Sequence, residues 1–249
     1  MVWHLAAHEL RRLFLSPMAW AVLAVEQLLL AYFFLVDLDN YLAMQPQLAT
    51  MPGAPGVTDL VVAPLFGDAA LLALFAVPVM TMRLLAEERR AQTLRLLVSA
   101  PVAVRHIVLG KYLGVTLFFL ILVALAALMP LSLLVGGSLD FGMYAAGLLG
   151  VSLLVAAFCA VGLYLSSLTA QPAIAAVATF GVLLLLWILD WAGPARDGGG
   201  VLGYLSLLSH YQPLLRGVFD SADVAYYLLV ILTFLALAVR RLDAQRLQP

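Results

Sequence analysis

The densest group of ionisable residues lies where an apolar stretch of the chain ends, at Arg83 and the run from Glu87 to Arg90. Such charges do not remain in lipid, so they predict the point where a helix leaves the membrane. The following residues, 91–105, alternate leucines with polar side chains, and Pro101 stops a helix there. This pattern favours a short amphipathic helix that rests at an interface or in a partner's groove. An ordinary solvated loop is the alternative.

Glu26 is a carboxyl group inside the first apolar run, where a charge costs about 2.5–3.5 kcal/mol on insertion scales. One hypothesis places it against a cavity of the helix bundle or at the seam of a dimer. The alternative is a protonated carboxyl group that is hydrogen-bonded to a neighbouring helix.

Few other residues are spaced for chemistry. His4 and His8 share a helix face, but no third ligand accompanies them, so we predict no metal site. The sequence has no nucleophile and general base in a catalytic pattern, and it has no G-x-x-x-x-G-K-[ST] phosphate loop. We therefore expect no catalytic or cofactor-binding residues. Cys159 is the single cysteine, which excludes an intrachain disulfide. A net charge of −1 without a basic stripe gives no indication of nucleic-acid binding.

The composition predicts which elements must position these residues. Hydrophobic residues make up 65% of the 249 residues and charged residues 11%, against roughly 45–50% and 25% in soluble domains. Long unbroken apolar runs predict membrane-spanning helices rather than barrel strands of about ten alternating residues. We therefore predict an all-α, polytopic membrane protein with one transmembrane domain, residues 1–249. The six predicted spans are residues 18–36, 69–85, 112–135, 141–165, 173–189 and 224–239.

The connections between the spans carry several further expectations. Residues 37–66, with four prolines, are predicted to form a loop, and Ser166 and Ser167 to begin a short polar turn. Gly110 and Gly114 form a G-x-x-x-G pattern, which permits close helix packing. Residues 190–223 are too apolar for an ordinary loop and suit a partly re-entrant helical pair.

The cationic residues predict the orientation. With the N-terminus inside, all but two of the 13 Lys and Arg residues lie on the inner side, and only Arg196 and Arg216 lie outside. The positive-inside rule then places both termini in the cytoplasm, which requires an even number of spans.

Several stretches together resemble the ABC-2 type permeases. The segment that is most similar to the family's coupling-helix region contains Glu87-Glu88-Arg89-Arg90, Thr93-Leu94, Leu96-Leu97, Ala100-Pro101-Val102 and Ile107-Val108-Leu109-Gly110-Lys111. The stretch from His8 to Arg12 resembles the family's N-terminal interfacial helix. The similarity is greatest to the branch with the gliding-motility and copper-reductase-maturation permeases. Arg95 departs from the pattern, since the family usually has an acidic residue there.

The resemblance implies a permease subunit of an ATP-binding cassette transporter, an exporter in the bacterial inner membrane. It implies a second permease subunit, identical or different, and two copies of an ATP-binding subunit that hold ATP and Mg²⁺. An envelope-facing accessory protein is a further expected partner. The residues implied to contact the ATPase are Glu87, Glu88, Arg89, Arg90, Thr93, Leu94, Leu97 and Pro101, and those of the interfacial helix are Glu9, Arg11 and Arg12.

The residues themselves leave two other functions open. One is an ATP-driven scaffold that does mechanical work on an envelope partner without transport. The other is a secondary transporter or channel, which would be expected to carry paired intramembrane charges or broken spans in both halves.

Overall fold

The long apolar runs become long helices in the computed structural model of the chain, which describes residues 1–51, 53–90, 103–135, 139–192 and 204–246. A helix satisfies its own backbone hydrogen bonds, as a segment in lipid must. The helices are α1 (Val2–Phe14), α2 (Pro17–Leu48), α3 (Ala63–Thr81), α4 (Arg83–Arg90), α5 (Val104–Leu131), α6 (Phe141–Leu168), α7 (Pro172–Ala192), α8 (Leu207–Leu215) and α9 (Ser221–Arg246). A π-helical turn, Thr58–Val62, leads into α3, and a 3-10 turn, Ser132–Val135, follows α5.

Six helical segments of the described chain are long and apolar enough to cross a membrane, which confirms the predicted number and the all-α class. They are Pro17–Leu48, Thr58–Arg90, Val104–Leu134, Phe141–Leu168, Pro172–Leu189 and Ser221–Ala244. The residues at which each helix enters and leaves lipid stay predictions. Helix α1 forms at the predicted N-terminal segment, while residues 91–102 of the predicted coupling helix lie outside the described residues.

Helix α6 lies at the centre of the bundle and packs against α3, α5, α7, α8 and α9. Small buried residues such as Gly147, Ala157 and Gly162 line α6 and allow its neighbours to come close. Helices α2 and α7 lie at the periphery, where Leu28 and Val177 are about seven-tenths exposed (69% and 73%). Large apolar side chains at such positions are typical of a surface that faces lipid rather than water.

The prediction of a loop over residues 37–66 is wrong in two places. Helix α2 continues to Leu48, because Leu38 and Tyr41 pack against the core and Pro46 falls in its last turn. Helical structure begins again at Thr58, whose hydroxyl accepts a hydrogen bond from the Asp140 amide at 3.0 Å. The connection is therefore shorter than the stretch that contains the four prolines.

Candidate functional site

The helix that carries the acidic pair, α4, is separated from α3 by a break at Met82. The Met82 amide donates to the Pro78 carbonyl at 3.1 Å. The amides of Leu85 and Ala86 instead both donate to the hydroxyl of Ser166 in α6, each at 3.1 Å, and that hydroxyl donates to the Met82 carbonyl at 3.0 Å. A serine hydroxyl offers one donor and two acceptor lone pairs, so all of its capacity is used. One side chain of α6 therefore replaces the backbone partners that the broken helix lacks.

Gly162, one turn before Ser166, brings α6 close enough for this contact. A methyl group on Gly162 would overlap the side chain of Thr81, the last residue of α3. The Thr81 hydroxyl donates to the Val77 carbonyl at 2.8 Å, within its own helix. Gly162 and Ser166 lie on one face of α6 at an i, i+4 spacing, and together they accommodate the end of α3 and the start of α4.

The predicted polar turn at Ser166 and Ser167 is therefore wrong. Both serines are buried inside α6, which continues to Leu168. Their hydroxyls are satisfied by backbone groups, since Ser167 donates to the carbonyl of Tyr164. A buried serine is stable in a helix when such partners are present. The small-residue spacing of Gly162 and Ser166 was the sequence signal for this packing.

Five charged side chains from α1, α4 and α5 form what we call the charge network: Glu9, Arg12, Glu87, Glu88 and Lys111. The Nζ atom of Lys111 lies 2.6 Å from Oε1 of Glu88 and 3.4 Å from Oε2 of Glu9. Arg12 Nη1 lies 3.5 Å from Oε1 of Glu88 and 3.7 Å from Oε1 of Glu9, and its Nη2 lies 4.0 Å from Oε2 of Glu87. The network joins the first helix to the helix on which the predicted coupling residues begin.

The centre of the charge network is withdrawn from solvent. The side chains of Lys111 and Glu9 are 7% and 6% exposed and that of Glu88 is 16% exposed, whereas Arg12 and Glu87 are 40% and 52% exposed. Buried charges are tolerated only when they are paired, and removing one partner of a buried pair is strongly destabilising. The network therefore specifies one placement of α1, α4 and α5 relative to each other.

The sequence gives no indication that Lys111 is buried in an ion pair, because a lysine before an apolar run ordinarily marks the end of a span. Its burial follows from the close approach of α1 to α5. A Cβ atom on Gly110 would lie 2.5 Å from Cβ of Leu5, and one on Gly114 would lie 2.7 Å from Cβ of Glu9. The predicted close packing at this G-x-x-x-G pattern is confirmed, with α1 as the partner helix.

We expect Gly110→Ala to loosen the docking of α1 on α5 and to lower the free energy of unfolding by about 1–3 kcal/mol, the usual cost of overpacking. The thermal unfolding midpoint of the purified chain in detergent measures this. Gly181→Ala is the matched control, since a Cβ atom there meets nothing within 4 Å and alanine has the higher helix propensity. Equal midpoints for the two variants would contradict the packing argument.

The structure places the other predicted site residues as follows. Arg89 donates to the Ser167 carbonyl at 3.2 Å, which ties α4 a second time to the end of α6. Arg90 is exposed at the last position of α4, and Arg11 is exposed on α1 without an ion pair among the described residues. The predicted coupling residues that lie outside the described residues are Thr93, Leu94, Leu97 and Pro101.

Glu26 lies on α2 and does not belong to the charge network. It is 8% exposed, and its Oε1 has no hydrogen-bond partner among the described residues. The neighbouring Gln27 donates to the Leu122 carbonyl of α5 at 2.9 Å. Glu26 thus faces the interior of the bundle.

A second polar cluster lies at the opposite end of the bundle. The Nδ1 atom of His210 in α8 lies 2.7 Å from Oδ1 of Asp223 in α9. Tyr211 donates to the Phe66 carbonyl at 2.7 Å, which fixes α8 to the start of α3. In the described part of the chain, no three His, Cys, Asp or Glu side chains converge in a way that could hold a metal ion.

Comparison with known proteins identifies the family. Residues 43–189 match the family model described as ABC-2 family transporter protein, and this region covers more than half of the chain. No curated protein matches the chain. The matched region runs from the end of α2 to α7 and includes α4 with its acidic pair. The membrane domains of this family have no catalytic activity of their own and associate with an ABC ATPase. The chain therefore belongs to the ABC-2 transporter family, of which it is a membrane subunit.

Proposed function

We propose that the chain couples ATP hydrolysis by a separate ATPase subunit to export of a substrate across the bacterial cytoplasmic membrane. Two permease subunits, identical or different, pair in the membrane, and two ATPase copies bind beneath them. ATP and Mg²⁺ are bound by the ATPase. The coupling-segment residues support a place in the gliding-motility and copper-reductase-maturation branch, whose members suggest an envelope-facing accessory partner.

In this proposal the end of the bundle with α1, α4 and the start of α5 faces the cytoplasm. The support is the distribution of cations, since Arg11, Arg12, Arg83 and Lys111 all belong to this end. Lysine and arginine are retained on the cytoplasmic side of membrane proteins. Both termini then lie in the cytoplasm.

The observation that carries the proposal is the charge network. It holds α4, which leads into the predicted coupling segment, to α1 and α5 through the ion pair of Glu88 with the buried Lys111. Ser166 holds the first turn of α4 to the central helix α6. A push on the coupling segment would therefore move α4 as a rigid body and reach the bundle through both attachments.

Glu87 offers the sharpest test, because its side chain is 52% exposed while Glu88 is mostly internal. We expect Glu87→Lys to insert and fold normally but to lower transport-coupled ATPase activity at least about tenfold, by reversing a charge at the ATPase contact. Proteoliposomes that contain the permease and its ATPase measure this activity. The fraction of ATPase that co-purifies with the permease should fall in parallel.

Asp243→Lys is the matched control, since it reverses an exposed acidic residue in α9, outside the proposed contact. It should retain coupled activity. Wild-type coupling in Glu87→Lys would contradict the assignment of α4 to the ATPase interface. Absence of any ATPase co-purification with the wild-type chain would contradict the proposed function as a whole.

We also propose that Glu26 serves transport rather than stability. A buried carboxyl oxygen without a partner costs about 1–3 kcal/mol, so Glu26→Leu should raise the thermal unfolding midpoint. Glu26→Leu and Glu26→Gln should both lower transport turnover. Glu26→Leu would then gain stability at the expense of activity. Wild-type turnover in both variants would remove Glu26 from the transport path.

A further inference from the structure

A cavity of about 1170 Å³ opens between α4 and the turn that joins α6 to α7. Three arginines line it, together with the residues at the start of α7 and one acidic side chain. The described lining residues are Met82, Arg83, Glu87, Arg89, Arg90, Ala170, Gln171, Pro172 and Ala173.

The described lining of this cavity carries a net positive charge, because three arginines stand against one glutamate. Arg83 and Arg90 are exposed and form no ion pair among the described residues. Arg89 is held by its hydrogen bond to the Ser167 carbonyl, and the positive charge of Arg241 in α9 acts on it as well. Glu87 is the one acidic lining residue, and its Oε2 lies 4.0 Å from Arg12 of the charge network. An occupant of this cavity would therefore be an anion.

Beyond the cavity, α3 and α7 pack against each other, and exposed apolar side chains line the seam between them, which we call the apolar groove. Phe75 of α3 lies seven residues before Met82, the residue that follows α3. On α7, Ala173, Val177 and Phe180 share a face. The rings of Phe75 and Phe180 have centroids 5.3 Å apart and close the groove about 10 Å from the cavity, at 1.5 Å per residue.

The groove walls are open to the membrane. Val177 is 73% exposed and Phe75 is 53% exposed, and no polar residue interrupts either stripe. The basic cavity lies at the end of two spans, and the apolar groove lies beyond it. A ligand that fits both is an amphipathic anion. A phosphate-bearing headgroup fits the arginines, and an acyl chain fits the groove.

We propose that this cavity binds the anionic headgroup of an inner-leaflet phospholipid, with one acyl chain in the groove between α3 and α7. The inference rests on the proposed orientation, in which this end of the bundle faces the cytoplasm. The bound lipid bridges α4 and the turn between α6 and α7, the two segments on either side of the Ser166 contact. It is thereby placed to favour one position of α4.

Native mass spectrometry of the delipidated full chain in detergent tests the proposal without the ATPase. The wild-type chain should retain phosphatidylglycerol about tenfold more tightly than phosphatidylcholine. Arg83→Gln/Arg90→Gln should lower the affinity for phosphatidylglycerol about 30-fold, the factor expected for two charge contacts. Arg11→Gln/Arg105→Gln removes the same charge from exposed positions at the same end of the bundle and should leave the preference intact. Equal losses in the two double variants would overturn the proposal.

Two further measurements separate other occupants. Glycerol phosphate, the headgroup without acyl chains, should not displace the lipid at millimolar concentration, and displacement would show a simple anion site instead. Addition of the purified ATPase should leave the lipid bound. If the ATPase displaced the lipid, the cavity would belong to the protein partner and the proposal would be wrong. Failure of the ATPase to bind at all would count against the proposed function, but not against lipid binding.

Discussion

Lys111→Met is expected to destabilise the chain by about 3 kcal/mol, at the lower end of what breaking a buried ion pair costs. The substitution leaves the buried Glu9 and the mostly internal Glu88 without the ammonium group that lies 3.4 Å and 2.6 Å from them. Arg12 remains, but its side chain is 40% exposed and its contact distances to both carboxylates are at least 3.5 Å. We expect a lower thermal unfolding midpoint and proteolysis between α1 and α2 at a lower protease concentration.

Two controls separate charge from shape at this position. Lys111→Arg keeps the cation and should retain most of the stability, although its larger planar group fits the site less well. The double variant Lys111→Met/Glu88→Gln removes a carboxylate along with the cation and should recover part of the loss. If the double variant were no more stable than Lys111→Met, the loss would come from packing and not from an uncompensated charge.

Ser166→Ala is expected to cost about 2–4 kcal/mol, because it leaves the buried amides of Leu85 and Ala86 without an acceptor, at about 1–3 kcal/mol for each unsatisfied group. Both amides lie 3.1 Å from the hydroxyl that the variant lacks. The attachment of α4 to α6 should weaken, so amide hydrogen exchange at the start of α4 should become faster. Coupled ATPase activity should fall in the same variant if α4 transmits the motion as proposed.

Ser167→Ala is the matched control, since the adjacent hydroxyl donates only to the Tyr164 carbonyl within α6. Its removal should change the stability by less than about 1 kcal/mol, the net value of an ordinary hydrogen bond. Similar hydrogen exchange in both alanine variants would contradict the conclusion that Ser166 stabilises the helix break at Met82.

The two contacts hold the same short helix to different neighbouring helices. Lys111 holds Glu88 from the side of α5 and α1, and Ser166 holds the first turn of α4 from the side of α6. The described part of helix α4 has eight residues, too few to be stable alone in water. Its structure therefore depends on these attachments, which is why we expect single substitutions at either one to have large effects.

The sequence by itself determined the class of the protein and the number of long helices. Runs such as 141–165 are apolar over their whole length, and only a helix satisfies the backbone of such a run in lipid. The charged helix end at Glu87 to Arg90 was equally predictable from the sequence, since charge density is a local property. The family resemblance followed from the order of residues in that segment, and the match over residues 43–189 agrees with it.

The tertiary structure alone decided which charges meet. Glu9 and Lys111 are 102 residues apart, and nothing in their local sequences indicates that they pair. Their contact depends on the glycines of α5, which let α1 approach until both side chains are buried. The local sequence predicts a turn at Ser166, because serine next to a polar stretch usually faces water. Its role depends on a broken helix 80 residues earlier, and hydrogen bonds between distant segments are set by the packing of the whole bundle rather than by local propensity.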